Sequence, residues 1–352
     1  MTNLDYGNFD FRKKIFFHPQ KVADCVADKR PFPTTMEIDL YDACNHKCVF
    51  CYTPKLDKKE RAQLDTKVIK RALKEAHDLG TRGISFTGGG ESMLHPNFMD
   101  IVTYAKKIGL DIGLVTNGSV ITESNVENLV DNVTWIRVSA AGGNSEAYRN
   151  VQGVDQFDKV MSNLELLSKV KRKKKSALNI GVRMLVMPEN VDSLVDMAKA
   201  MKGLAVNYVQ VAPNQFTSDG GKFWESKKIG QYFEEMKRIL ESEGIKLYRA
   251  GFSVVNNRIN YPSKCYAHFF HSVITARGDL AFCKNCRLRK EYMLGNIYKR
   301  SLKEIWNGKR VQKLESKIKP SNCGVFCKSM AINESMEDIA HPDIQMSPNF
   351  VG

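Results

Sequence analysis

The chain has 352 residues, 43% hydrophobic and 26% charged, with a formal net charge of +14 at pH 7. That length and composition suit one large domain plus a smaller one. No apolar run approaches a membrane span, the N-terminus lacks the basic-then-apolar layout of a secretory signal, and the expected location is cytoplasmic, where nine cysteines favour metal ligation over disulfides.

Residues 1–34 read as an N-terminal extension. Within it Cys25 lies in the apolar helical pattern Val22-Ala23-Asp24-Cys25-Val26 and is expected in the core. A strand pattern at 35–41 then leads into Ala43-Cys44-Asn45-His46-Lys47-Cys48-Val49-Phe50-Cys51-Tyr52. Three thiolates on one short loop can hold three irons of a [4Fe–4S] cube and leave the fourth open to a ligand. A structural zinc site calls for two close pairs of ligands rather than a tight triplet.

From about 35 to 215 short β-branched runs alternate with amphipathic helical patterns. The strands are expected at 35–41, 82–87, 111–116, 134–139, 179–186 and 208–211. The helices are expected at 66–78, 97–108, 123–132, 156–169 and 191–201. Repeated β-α units predict an α/β fold with a parallel sheet, whose ligand sites lie at the carboxyl ends of the strands. The marked residues fall at those ends. Strand two runs into Gly88-Gly89-Gly90-Glu91, where glycines permit close backbone approach and Glu91 adds a carboxylate. Strand three ends at Thr116-Asn117-Gly118, which by itself is an ordinary turn signal. Strand four ends at Ser139 and continues as Ala140-Ala141-Gly142-Gly143. Strand five carries Arg183, whose guanidinium suits a carboxylate by bidentate hydrogen bonding. The densest basic run, Lys169 to Lys175, follows an apolar-periodic segment and reads as a helix C-terminus complementing the dipole. It has no interleaved aromatics, which argues against a nucleic-acid surface.

The C-x3-C-x2-C spacing, with an aromatic before the last Cys, resembles the radical S-adenosylmethionine (SAM) superfamily. That resemblance implies a partial (β/α)6 TIM-like barrel. It implies that Cys44, Cys48 and Cys51 ligate a cluster whose open iron chelates the amino and carboxylate groups of SAM. The reduced cluster would cleave SAM to a 5′-deoxyadenosyl radical that takes a hydrogen from the substrate, with electrons from a flavodoxin- or ferredoxin-type reductant. Phe50 matches the position packed near the adenine, and Gly88, Gly89, Gly90 and Glu91 match the "GGE" motif that holds the SAM amino group. Ser92 stands where the family often has Pro. Asn117 is expected to reach the pocket, Ser139 the ribose, and Arg183 the SAM carboxylate or an inner acid. Ala141 replaces an acid common in relatives, and with the following glycines it is expected to leave space for substrate.

Five further cysteines lie at 265, 283, 286, 323 and 327. Val273-Ile274-Thr275 and Leu280-Ala281-Phe282 flank Arg277-Gly278-Asp279 as a β-hairpin. With Leu294-Gly295-Asn296-Ile297 and Ser301 to Trp306 they are similar to the SPASM/twitch extension, which carries auxiliary clusters. Five thiols suit one auxiliary [4Fe–4S] cluster, with Cys265, Cys283, Cys323 and Cys327 as the matching ligands. Cys286 is then left over as a hydrogen-atom donor, a further ligand, or a buried thiol. The resulting layout is a barrel at 35–245, an auxiliary β-hairpin/helix module at 246–330 and a tail at 331–352 that wraps on the surface or lids the site.

The expected function is a radical SAM enzyme epimerising or dehydrogenating a small polar substrate such as a sugar, aminosugar or aminocyclitol, with an acidic or phosphorylated one suited to the positive charge. The first alternative is a maturase of a ribosomal peptide or protein; against it, the 34 residues before the first strand are too few for the winged-helix peptide-binding domain of many maturases. The second is a non-catalytic iron–sulfur protein on nucleic acid, against which Phe50 and the Gly88 to Glu91 motif argue.

Overall fold

The computed structural model describes residues 14–53, 58–214, 224, 226–249, 262–323, 327 and 329–341. Its strands are β1 (Thr35–Ile38), β2 (Gly83–Phe86), β3 (Asp111–Thr116), β4 (Trp135–Ser139), β5 (Asn179–Val186), β6 (Tyr208–Pro213), β7 (Lys246–Arg249), β8 (His271–Ile274), β9 (Asp279–Ala281) and β10 (Met293–Asn296). Its helices are α1 (Pro19–Val26), α2 (Thr66–Asp78), α3 (Phe98–Lys107), α4 (Val126–Asn132), α5 (Ser145–Gln152), α6 (Phe157–Lys173), α7 (Leu194–Ala200), α8 (Lys227–Ser242), α9 (Leu302–Trp306), α10 (Lys309–Lys317) and α11 (Met330–Ala340).

All strands join one sheet in the order β10-β9-β8-β1-β2-β3-β4-β5-β6-β7. Every pairing from β8 through β7 is parallel, and β9 and β10 add antiparallel. The side-chain period of two sorts each strand into two faces. Met36 and Ile38, Ile84 and Phe86, Ile136 and Val138, and Ile180, Val182 and Met184 are wholly buried under the helices. Each such side chain contributes about 1.5–3 kcal/mol relative to exposure. Their alternates Glu37, Ser85, Arg137, Ser139, Arg183 and Leu185 are half-buried and share the opposite, concave face. The helices form for local reasons. Asp65 caps α2 by accepting from the Lys67 and Val68 amides, and Ile69, Ala72, Leu73 and Ala76 then fall on its inner face. Ser301 and Glu304 close a capping box on α9.

The expected α/β architecture, its six barrel strands and their helices are present. The basic run closes α6 as expected, with Lys171 bound to the Ala205 carbonyl, Arg172 to the Gly203 carbonyl and Lys174 to Glu127 and Asp131. Cys25 is a core residue whose thiol burial pushes up to about 12. The layout differs in three respects. The parallel sheet continues past residue 245, because 246–249 pairs with β6. The C-terminal hairpin is no detached module: β8 runs parallel to β1, with Thr35 opposite His271 and Ile38 opposite Ile274. The expected tail begins with a packed helix, α11, which buries Met330, Ile332, Asn333 and Met336. No described helix is long and apolar enough to cross a membrane.

Candidate active site

The cysteine loop leaves the carboxyl end of β1 and is held by the ends of its neighbours. Asn45 donates to the Ser119 hydroxyl at 2.8 Å and accepts from the Asn117 amide at 2.7 Å. His46 Nε2 meets the Tyr148 hydroxyl at 2.9 Å, and burial, then Lys159, pushes the ring down to about 4, leaving it neutral. The Lys47 and Val49 amides donate to the Gln152 and Val151 carbonyls, so the loop rests on the end of α5. That helix, absent from the sequence-based expectations, is its platform. Burial, then the like charge of Cys44 and Cys51, pushes the Cys48 thiol up to about 12. The three sulfurs therefore share one electrostatic neighbourhood.

The glycine loop packs directly on the cysteine loop. A Cβ on Gly90 would stand 2.0 Å from the Ala43 carbonyl oxygen, and Gly89 has φ +95, which an L side chain rarely adopts. The Glu91 amide donates to that same Ala43 carbonyl at 2.8 Å. The Glu91 carboxylate has structural partners of its own. It is buried and accepts from the Thr116 hydroxyl at 2.9 Å and from the Met93 and Asn117 amides at 3.2 and 2.8 Å. It therefore ties the ends of β2 and β3 together, and burial raises its pKa. Asn117 does reach the cysteine loop, with its Nδ2 3.9 Å from the Cys44 sulfur.

Phe50 packs against a small apolar group of Ala141, Val151 and Met187, with Leu185 beside it. Ser139 lies opposite Arg183 in the β4–β5 register on the concave face. The glycines after Ala141 do not leave space. A Cβ on Gly142 would meet the Tyr148 amide nitrogen at 2.2 Å, and one on Gly143 the Ser193 carbonyl at 1.9 Å. Their smallness lets α5 and the start of α7 close in.

The C-terminal thiols converge on one another. Cys265 is pushed up to about 12 by burial, then by Cys283, Cys327 and Cys323. Burial, then Cys327 and Cys283, pushes Cys323 up to about 11. Cys283 is brought down to about 7 by the hydrogen bond from the Cys286 thiol, which itself is raised. Cys286 thus lies against the expected ligands. The tail helix serves this group: Asn333 Oδ1 accepts from the Tyr266 and Ala267 amides, both at 2.8 Å, and its Nδ2 is 3.8 Å from the Cys265 sulfur. Among the described residues no three His, Cys, Asp or Glu side chains converge tightly enough for a lone ion. The Cys44, Cys48 and Cys51 triplet lacks the two paired ligands of a structural zinc site, whereas the C-terminal group holds two close pairs, Cys283 with Cys286 and Cys323 with Cys327, and Cys265 as a fifth thiol. Three thiols on one short loop, and C-terminal thiols close enough to act on one another electrostatically, suit cluster ligation.

Arg287, which follows Cys286, was not singled out from sequence. It is 8% exposed and spans the two halves of the site. It pairs with Glu37 and, at 2.8 Å, with Asp39, both on or just past β1. A Cβ on Gly88 would lie 3.4 Å from its Nη1 and 3.0 Å from the Tyr52 hydroxyl. Burial works against the Arg287 charge, but Asp39 and Glu37 outweigh it. Burial pushes Asp39 up to about 8 against Arg287, helped by the nearby Glu37 and Asp42 carboxylates. Its pKa is raised relative to the ordinary 3.8, so the folded protein binds the extra proton and stability falls as pH rises from about 4 to about 8. In equilibrium denaturation under argon, the Asp39→Asn variant should lack this decline, by up to about 1.4 kcal/mol per pH unit. Parallel pH profiles for parent and variant would contradict that assignment.

Residues 38–201 match the family model described as the Radical SAM superfamily, and residues 265–328 that of SPASM, an iron–sulfur cluster-binding domain. The chain is 24% identical over 286 residues to the PqqA peptide cyclase of Gluconobacter oxydans, covering 78% of this chain and 76% of that relative. It is 25% identical over 263 residues to a probable GTP 3′,8-cyclase of Thermococcus kodakarensis, covering 73% and 81%. The crystal structure of Streptococcus suis SuiB bound to precursor peptide SuiA matches in fold with a TM-score of 0.65 at 15% identity, over 91% of this chain and 75% of that one.

Proposed function

Since the chain belongs to the radical SAM superfamily and carries a SPASM iron–sulfur domain, we propose that it is a maturase that modifies a ribosomally made peptide or protein. The observation that carries this reading is the likeness, across nearly the whole chain, to a structure solved with a precursor peptide, joined by a relative that is a peptide cyclase. It replaces the small polar substrate as the main reading, and the epimerase assignment has no support among these relatives. When bound, the first cluster and SAM supply a hydrogen-abstracting radical. Cys44, Cys48 and Cys51 would hold three irons. Phe50, with Ala141, Val151 and Met187, would flank the adenine. The backbone of Gly88, Gly89 and Gly90 would face the amino group, Ser139 and Asn117 the polar middle of the cofactor, and Arg183 its carboxylate. Glu91 acts behind them, fixing the strand ends. Cys265, Cys283, Cys323 and Cys327 would hold the auxiliary cluster. Cys286 stands beside them as a fifth thiol, suited to ligation or to hydrogen-atom donation. A flavodoxin- or ferredoxin-type protein would deliver electrons.

The test is 5′-deoxyadenosine formation by the reconstituted enzyme with SAM and reductant. A pool of synthetic linear peptides should raise it several-fold over the substrate-free rate. Stimulation by GTP or by aminosugars, with none by peptides, would overturn the peptide reading.

A further inference from the structure

The concave face carries two arginines that the described protein does not pair. Arg137 on β4 lies opposite Gly181 on β5, and Arg183 lies opposite Ser139. Arg137 is two positions before Ser139, so it sits about 7 Å deeper, at roughly 3.3 Å of rise per residue. Neither guanidinium makes a hydrogen bond or ion pair with a described residue, and the buried Nε atoms of both are unpartnered. The side-chain oxygen of Gln210, opposite Arg183 on β6, is buried and unpartnered too. Two cations side by side in a water-poor lumen are costly unless an anion joins them. Burial and Arg137 together push Arg183 down to about 9, which reflects that crowding.

The walls beside Arg137 are aromatic and closely packed. Gly113 and Gly181 face inward, and the rings of Trp135 and Tyr208 occupy the room that side chains there would fill; a Cβ would fall 2.1 and 2.0 Å from those rings. The Arg137 guanidinium lies over the Trp135 ring, 5.8 Å from its centroid. Its other neighbours in charge are Tyr208 and Glu37. The Glu37 carboxylate, which acts on Arg137, makes a dianion such as phosphate unwelcome at this depth, whereas a planar monoanion matches the guanidinium fork at lower cost.

We infer that Arg137, flanked by Trp135, Tyr208 and Gln210, forms a subsite for a carboxylate of the substrate: an aspartate or glutamate side chain, or the C-terminus of the peptide. Arg183, one layer nearer the mouth, is left to the cofactor. The inference rests on the peptide reading for the identity of the carboxylate's owner. Its test uses the reconstituted holoenzyme with SAM bound and ligand-observed NMR titration of N-acetyl-L-glutamate against its neutral isostere N-acetyl-L-glutamine. The glutamate probe should saturate in the millimolar range and the glutamine probe should not. Arg137→Gln should weaken the glutamate probe at least tenfold while SAM affinity stays within twofold, and Arg137→Lys should fall between. Equal binding of the two probes would overturn the subsite. So would an Arg137→Lys variant, folded as judged by its melting curve, that keeps parental affinity while Arg137→Gln does too. A tenfold loss of SAM affinity in Arg137→Gln would assign the residue to the cofactor instead. Neither probe carries a peptide chain, so failure of the peptide-pool assay with the glutamate preference intact would count against the maturase reading alone.

Discussion

Replacing Cys44, Cys48 and Cys51 together by alanine is expected to reduce 5′-deoxyadenosine release to the level of a protein-free control. The fold should survive the change. The loop's position is set by Asn45 on Ser119 and Asn117, His46 on Tyr148, and the Lys47 and Val49 amides on the end of α5, none of which uses a sulfur. The thiols are the groups proposed to ligate the cluster, and a cluster bound there would release their protons as it forms. Loss of activity with an unchanged melting temperature separates a missing cofactor from a missing fold. Activity above about a tenth of the parent would place the chemistry elsewhere.

Arg287→Ala is expected to be the most destabilising single change in the interior, by about 3–5 kcal/mol, the range for breaking a buried pair from one side. Asp39 is 3% exposed and sits beside Glu37, so above about pH 8, where Asp39 is ionised, removing the guanidinium leaves two carboxylates facing each other with no cation. The strand contacts between β1 and β8 would then carry alone the junction that Arg287 reinforces. Neutralising the acids as well, in Arg287→Met with Glu37→Gln and Asp39→Asn, should recover most of the loss, because replacing a whole buried pair is often neutral. Denaturant unfolding under anaerobic conditions measures both. A loss below about 1 kcal/mol for the single change would show that water, not the protein, solvates these carboxylates.

The parts of the molecule readable from sequence are those written in local periodicity. β5 is legible because Ile180, Val182, Met184 and Val186 recur at every second position, and α2 because its cap and apolar stripe coincide. The triplet and the glycine loop were legible because their chemistry is local. What escaped depends on partners far along the chain. Arg287 and Asp39 are 248 residues apart, and nothing near Arg287 marks it as buried. Asn333 looks like a polar residue in an unremarkable tail, yet it fixes the Cys265 turn through two backbone amides. β7 has only one fully buried side chain, Tyr248, so its alternation is faint. The motif marks Glu91, but its bonds to the Thr116 hydroxyl and Asn117 amide are a matter of rotamer and register that no local pattern carries.

The central claim is that two separate cysteine groups hold two cubane clusters in one chain. Iron quantitation after anaerobic reconstitution, on the parent and on the Cys44/Cys48/Cys51 triple alanine variant, tests it most directly. Two cubane clusters give about eight irons per chain in the parent and about four in the variant. Four irons in the parent, or no fall in the variant, would contradict it.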